Sequence, residues 1–141
     1  MNLLRVNQDS QTTDLALLLL RVGIGVLMLT HGTPRLLVLL SDEPIRFVSV
    51  FGMSEKVSFI LNILAEFFCS IFVIIGLGTR IASIPLAFVM AVAAFHIHLH
   101  DEFSIQEMSL HFLLVFVVLF LTGGGRYSLD YWLQQRVLAR F

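Results

Sequence analysis

Five histidines, two glutamates and one arginine lie inside or at the edges of long apolar runs in this sequence. Carboxylates and imidazoles bind borderline metals and pass protons, and an arginine placed among them can pair with a carboxylate. If these runs cross a membrane, such groups point to a function, because a charge in hydrocarbon is costly. The eight residues are His31, Arg35, Glu66, His96, His98, His100, Glu107 and His111.

Four apolar runs carry these residues, and each is long enough for a helix that crosses a bilayer, which takes about 20 residues. In hydrocarbon every backbone polar group must be satisfied within its segment, and the runs lack the alternation of barrel strands. The sequence therefore predicts an all-α fold, an integral membrane four-helix bundle, with spans at about residues 15–40, 57–77, 81–99 and 105–121.

Composition agrees with this prediction. The chain has 141 residues, of which 57% are hydrophobic and 13% charged, whereas soluble domains are roughly 45–50% apolar and about 25% charged. The spans use most of the length, which predicts a single membrane domain over residues 1–141 in contact with the lipid bilayer. A net charge of −1 gives no reason to expect nucleic acid, and the single cysteine, Cys69, excludes an internal disulfide.

The first span contains Pro34, so a kink or partial unwinding is expected near residues 31–34. No small-residue cleavage site follows the apolar run that begins at Leu15, and we expect a retained span instead of a signal peptide.

Arginine distribution predicts the orientation. With four spans, both termini and the second connection share one side of the membrane, and the positive-inside rule makes that side cytoplasmic. Arg21 is interpreted as an anchor that snorkels to this surface. Aromatic residues after the last span predict a short interfacial helix. The arginines on this side are Arg5, Arg21, Arg80, Arg126, Arg136 and Arg140.

The outer half of the bundle holds the candidate ligand-binding or proton-relay site. Glu66 lies about 15 Å along the second span, near mid-membrane. Arg35 is its expected partner, with His31 one turn away on the same helix face. Glu107 and His111, four residues apart at the start of the fourth span, complete the site. A buried ion pair that only holds the bundle together is the structural alternative.

A metal site is a second interpretation of the polar residues in the outer half of the bundle. His96 and His100 share a helix face, and they could join Glu66, Glu107 and His111 around an ion, whereas His98 points away and is interpreted as interfacial. However, no zinc or di-iron spacing is completed, since Glu107 and His111 are not a Glu-x-x-His pair. Capping and pairing at a polar mouth are the structural alternative for these histidines.

The sequence resembles the DoxX family of small bacterial membrane proteins. The resemblance rests on motifs spread over nearly the whole chain: Leu20-Arg21-Val22-Gly23-Ile24-Gly25, His31-Gly32-Thr33-Pro34-Arg35-Leu36, Glu66, Gly76-Leu77-Gly78-Thr79-Arg80-Ile81-Ala82-Ser83, Glu107 and Gly124-Gly125-Arg126-Tyr127-Ser128-Leu129-Asp130. It implies a multi-pass protein of four helices in the bacterial inner (plasma) membrane. The family takes its name from the small subunit of an archaeal thiosulfate:quinone oxidoreductase, and other members are linked to redox and thiol-stress complexes.

The resemblance supports carrying over His31, Arg35 and Glu66 as site residues, whereas the remaining histidines lie outside the family pattern. The leading hypothesis is a redox-associated subunit that holds a quinone or similar hydrophobic ligand in the outer half of the bundle, with a partner redox protein or a second copy of the chain. The sequence has no dinucleotide fingerprint and no cysteine cluster, so whether it is an enzyme stays open, as do its catalytic residues. The alternatives are a metal-binding or transport protein and a non-catalytic anchor or assembly subunit.

Overall fold

The computed structural model describes residues 10–138 and is all-helical over that range. Four helices are long and apolar enough to cross a membrane, which confirms the predicted fold class. A fifth, short helix follows them. The helices are α1 (Ser10–Leu40), α2 (Glu55–Ile75), α3 (Thr79–Ile97), α4 (Phe103–Thr122) and α5 (Leu129–Leu138).

The four long helices form an up-and-down bundle in which each packs on its neighbours in sequence and α4 returns to α1. Large buried side chains from all four helices, including Met28, Val73, Leu86 and Phe116, fill the centre. Many apolar side chains remain exposed on the outer surface, as expected where lipid replaces water. The chain is a multi-pass membrane protein.

The two ends of the bundle differ, and each is named here by its residues. The arginine end, with Arg21, Arg80 and Arg126, holds the start of α1, the α2–α3 turn and the end of α4. The cavity end holds residues 41–54 and 98–102, which connect α1 to α2 and α3 to α4. The cytoplasmic placement of the arginine end stays a prediction. Two of the arginines on which that prediction rests, Arg5 and Arg140, lie outside the described residues.

Two helices contain π-helical segments, Leu64–Cys69 in α2 and Ala93–Ile97 in α3. The wider turn changes which backbone groups are paired, and such segments are frequent at functional sites. The Gln106 side chain of α4 donates to the Ala94 carbonyl oxygen, in the π-helical segment of α3, at 2.9 Å. By contrast, α1 stays helical through Pro34 to Leu40, so the partial unwinding expected there is wrong. The exposed Pro34 faces away from the bundle.

A glycine sets the contact between α1 and α2. A Cβ atom on Gly32 would lie 2.8 Å from the Glu66 carbonyl carbon and 2.8 Å from the Phe67 nitrogen. Both neighbours are backbone atoms, which cannot move aside as a flexible side chain can. The two helices therefore approach as closely as they do because residue 32 has no side chain.

Candidate functional site

Arg35 and Glu66 form an ion pair next to this close helix contact. The Arg35 Nη1 donates to Glu66 Oε2. Glu66 lies midway along α2 in its π-helical segment and is 3% exposed, whereas about a third of the Arg35 side chain is accessible. The predicted partnership is thus present in the structure. A carboxylate this deep in a membrane helix is compatible with its surroundings because the guanidinium balances its charge.

Glu66 belongs to a polar stripe on α2 whose members are buried and spaced four residues apart. Such spacing places side chains on one helix face. Ser58 Oγ accepts from the Val50 nitrogen at 3.2 Å, and Ser70 Oγ donates to the Glu66 carbonyl oxygen at 2.7 Å. Asn62 is 9% exposed, and its Nδ2 finds no hydrogen-bond partner among the described residues. The stripe consists of Ser58, Asn62, Glu66 and Ser70.

A cavity of about 420 Å³ lies between this stripe, α3 and the connection from α1 to α2. Its polar lining comes from Arg35, Ser58, Asn62, Glu66 and His98. Its walls are otherwise apolar: Phe47, Val48, Val50, Phe51, Met53, Leu61, Ala65, Pro85, Phe88, Val89, Val92, Ala93 and Ile97. Leu61 of α2 and Phe88 of α3 line the cavity and are 47% and 59% exposed.

Residues 41–54, called the covering loop from here on, close the cavity at its end of the bundle. The Phe47 ring lies 5.9 Å from the Arg35 guanidinium carbon and 5.3 Å from the Phe59 ring. Phe51 stacks on His96 at 5.4 Å between ring centroids. Phe51 has a φ of +51°, a left-handed conformation that is unusual for a bulky residue. Ring contacts therefore hold the covering loop over the site.

The remaining predicted relay residues do not join the Arg35–Glu66 pair. His31 is half-buried, but its ring packs edge-on against Phe112 of α4 at 5.8 Å and does not line the cavity. Glu107 and His111 are exposed and face each other, with 3.9 Å between Oε1 and Nε2. The physical reason is the rotation of each helix about its own axis. Sequence spacing shows which residues share a helix face, but it does not show which neighbouring helix that face contacts.

The candidate metal ligands are also dispersed. His96 is exposed and stacks on Phe51, His100 is exposed near the start of the α3–α4 connection, and Glu66 is buried against Arg35. Within residues 10–138, no group of three or more His, Cys, Asp or Glu side chains could hold a metal ion. His98, interpreted above as interfacial, lines the cavity and pairs with Asp101 at 2.7 Å.

The interpretation of Arg21 as a snorkelling anchor is wrong. Arg21 is 1% exposed, and it donates from Nη1 to the Gly124 carbonyl oxygen at 2.9 Å and from Nη2 to the Tyr127 carbonyl oxygen at 2.7 Å. Gly76, which ends α2 with φ +74°, leaves the space that the guanidinium fills. The side chain turns inward because these carbonyl groups need donors away from water.

Asp130 and Asp14 form further hydrogen bonds at the arginine end of the bundle. The Asp130 carboxylate accepts from the Gly78 and Thr79 nitrogens at 2.6 and 2.9 Å, which caps the start of α3. Asp14 accepts from the Arg126 nitrogen at 3.0 Å and pairs with its side chain. The glycine-rich segment after α4 and the start of α5 are therefore bonded into the bundle, a connection that residue types alone did not reveal.

Comparison with known proteins identifies one family. The model of the DoxX family matches residues 16–99, more than half of the chain. The match covers most of α1 and all of α2 and α3, with both members of the ion pair. No curated protein matches the chain, and no solved structure matches it.

Proposed function

The chain thus belongs to the DoxX family, and from that premise we propose that it is a membrane subunit associated with redox chemistry that holds a quinone or similar hydrophobic ligand. The observation that carries the proposal is the cavity beside the Arg35–Glu66 pair. The bacterial inner membrane, where quinones are dissolved, is the proposed location.

The shape and lining of the cavity support a ligand of this class. Ligand sites are commonly clefts of roughly 300–1,000 Å³ with mainly apolar walls and a few convergent polar groups. The cavity of about 420 Å³ meets both conditions, since thirteen of its eighteen lining residues are apolar and the others include Arg35 and Glu66. An isoprenoid tail would lie against the apolar walls while the ring oxygens approach the polar residues.

The ion pair provides groups suited to quinone chemistry. An arginine has five N–H donors, so Arg35 keeps donors for a ligand oxygen after bonding Glu66. Glu66 is a carboxylate next to the proposed ring position, where it can accept or return a proton. Reducing a quinone to a quinol takes two electrons and two protons. We propose that the electrons come from a partner redox protein, because the sequence has no cysteine cluster or dinucleotide fingerprint.

Direct binding tests this proposal. The purified protein in lipid nanodiscs would be titrated with a decyl-tailed benzoquinone and its affinity measured by equilibrium dialysis. Val92→Phe, which fills the cavity from α3, is expected to weaken binding at least tenfold because the ring takes the ligand's place. Leu114→Phe is the matched control, since Leu114 is exposed on α4 and lies outside the cavity lining. Absence of saturable quinone binding to the folded wild type would refute the proposal.

A further inference from the structure

Asn62 is the member of the α2 stripe whose hydrogen bonding is incomplete. Its neighbours along the stripe are satisfied, because Ser58 bonds the covering loop, Glu66 bonds Arg35 and Ser70 bonds the helix backbone. Asn62 is 9% exposed, lines the cavity, and has an Nδ2 without a partner within residues 10–138. A buried amide donor left unpaired costs free energy, which favours a ligand that supplies an acceptor.

The charge balance of the cavity indicates what kind of acceptor fits. Among the lining residues, the guanidinium of Arg35 is paired with the carboxylate of Glu66, so the two charges cancel. An anionic head would have to displace Glu66 or lie beside it, and like charges in a low-dielectric site repel. Asn62 adds a neutral amide N–H that is buried and has no partner within residues 10–138, and such a donor suits an uncharged carbonyl oxygen.

We infer, on the basis of the ligand site proposed above, that Asn62 is the specificity-determining residue of this cavity. Its amide N–H donates to a carbonyl oxygen on an uncharged ligand head, and the balanced Arg35–Glu66 pair disfavours carboxylate ligands. Asn62 and Glu66 are one helical turn apart, about 6 Å along α2. The ligand head is thereby placed beside the stripe, with its tail toward the apolar walls.

Three probes with tails of nine or ten carbons test the inference in nanodiscs: the decyl-tailed benzoquinone, methyl decanoate and decanoate. The wild type is expected to bind the two neutral probes at least tenfold more tightly than decanoate. Asn62→Leu, close in size but without a donor, is expected to weaken both neutral probes roughly five- to tenfold, the equivalent of one hydrogen bond. Ser70→Ala is the matched control, because Ser70 is a buried polar residue of the same stripe outside the cavity lining.

The outcomes separate this inference from the proposed function. Quinone binding that is unchanged in Asn62→Leu overturns the role of Asn62 and leaves the quinone proposal standing. If methyl decanoate binds in a way that depends on Asn62 and the quinone does not bind, the inference is supported and the quinone proposal is overturned. Tighter binding of decanoate than of either neutral probe overturns the inference, and so does a lack of binding by all three probes.

A folding defect is kept apart from a binding defect by a second variant. Asn62→Gln retains the amide on a longer side chain and is expected to recover part of the neutral-probe affinity that Asn62→Leu loses. Thermal unfolding, monitored with a thiol-reactive dye on Cys69, identifies variants that are folded under assay conditions. If Asn62→Gln and Asn62→Leu are equally folded and bind equally weakly, the donor role of Asn62 is contradicted.

Discussion

The two ends of the bundle each contain an arginine from α1 that is drawn into the protein, but the two arginines have different partners. At the arginine end, Arg21 is 1% exposed and donates to two carbonyl oxygens of the segment after α4. At the cavity end, Arg35 pairs with a buried carboxylate, and both groups border an apolar cavity. Arg21 thus joins α1 to the backbone of the segment after α4, whereas Arg35 and Glu66 place polar groups beside a cavity that a ligand could occupy.

The comparison shows that a charged residue in a membrane helix does not by itself identify a binding site. The surroundings decide: an arginine whose donors go to backbone carbonyl groups contributes to the fold, and one beside a cavity can also contribute to binding. The two ends should therefore respond differently to substitution. The variants below separate loss of stability from loss of ligand binding, with unfolding followed in detergent through Cys69.

Removing Arg21 should have the largest effect on stability. Arg21→Leu leaves one buried and one partly buried carbonyl oxygen without donors, and each unpaired buried group costs about 1–3 kcal/mol. We expect a loss of about 4 kcal/mol in the free energy of unfolding, seen as a large drop in the thermal midpoint. Arg80→Leu is the control. Within residues 10–138 the exposed Arg80 side chain makes one hydrogen bond, to the Leu121 carbonyl oxygen at 3.2 Å, so its loss should change little. Equal midpoints for both variants would contradict a structural role for Arg21.

Gly32→Ala should also lower stability, and it links stability to the site. The added Cβ would overlap the backbone at Glu66 and Phe67, so α1 must shift away from α2. Overpacking of this kind costs about 1–3 kcal/mol, and we also expect quinone affinity to fall because Arg35 moves with α1. In Gly23→Ala the new methyl group has nothing within 4 Å, so this variant should keep both properties. The same loss in both glycine variants would contradict the close contact as the cause, since alanine favours a helix more than glycine does.

The ion pair distinguishes a ligand site from a packing device. Arg35→Met alone leaves the Glu66 carboxylate buried without its partner, and we expect a loss of about 2–3 kcal/mol, below the usual range for buried pairs because Arg35 is partly exposed. Arg35→Met combined with Glu66→Leu should recover most of that stability. The double variant should nevertheless bind quinone at least tenfold more weakly. Wild-type affinity in the double variant would assign the pair to packing alone.

Phe51→Ala should have the smallest effect on stability. The exposed ring contacts His96 and Phe88 from the covering loop, and alanine keeps the Cβ atom that makes the positive φ costly. Only these exposed ring contacts are lost, so we expect a change within about 1 kcal/mol. Quinone should dissociate faster because the covering loop is held less firmly, which stopped-flow displacement would measure. A Glu43→Ala control, exposed on the same loop and outside the cavity lining, should dissociate at nearly the wild-type rate.

Apolar run length was sufficient to predict the four spans, because the bilayer imposes both a length and a helical backbone. The predicted boundaries lie within five residues of those observed. Residue type and depth were likewise sufficient to pair Arg35 with Glu66. These features follow from strong local constraints that a single sequence contains.

Helix rotation and neighbour choice could not be predicted in the same way. His31 contacts Phe112 and the Glu107–His111 pair faces outward because helix packing, not spacing, selects which face meets the cavity. Asn62 was missed, although its four-residue spacing from Glu66 in an apolar span was a visible signal. Arg21 was misinterpreted because its partners are backbone carbonyl groups more than 100 residues away, which have no sequence signature.

Leu61 and Phe88 line the cavity and are exposed on the surfaces of the spans. A ligand that enters between them comes from the hydrocarbon and not from water. Its occupancy would then depend on its mole fraction in the bilayer, so adding empty lipid at constant total ligand would empty the site. Affinities for this protein are therefore best expressed per lipid, and apparent constants in micelles should scale with detergent concentration.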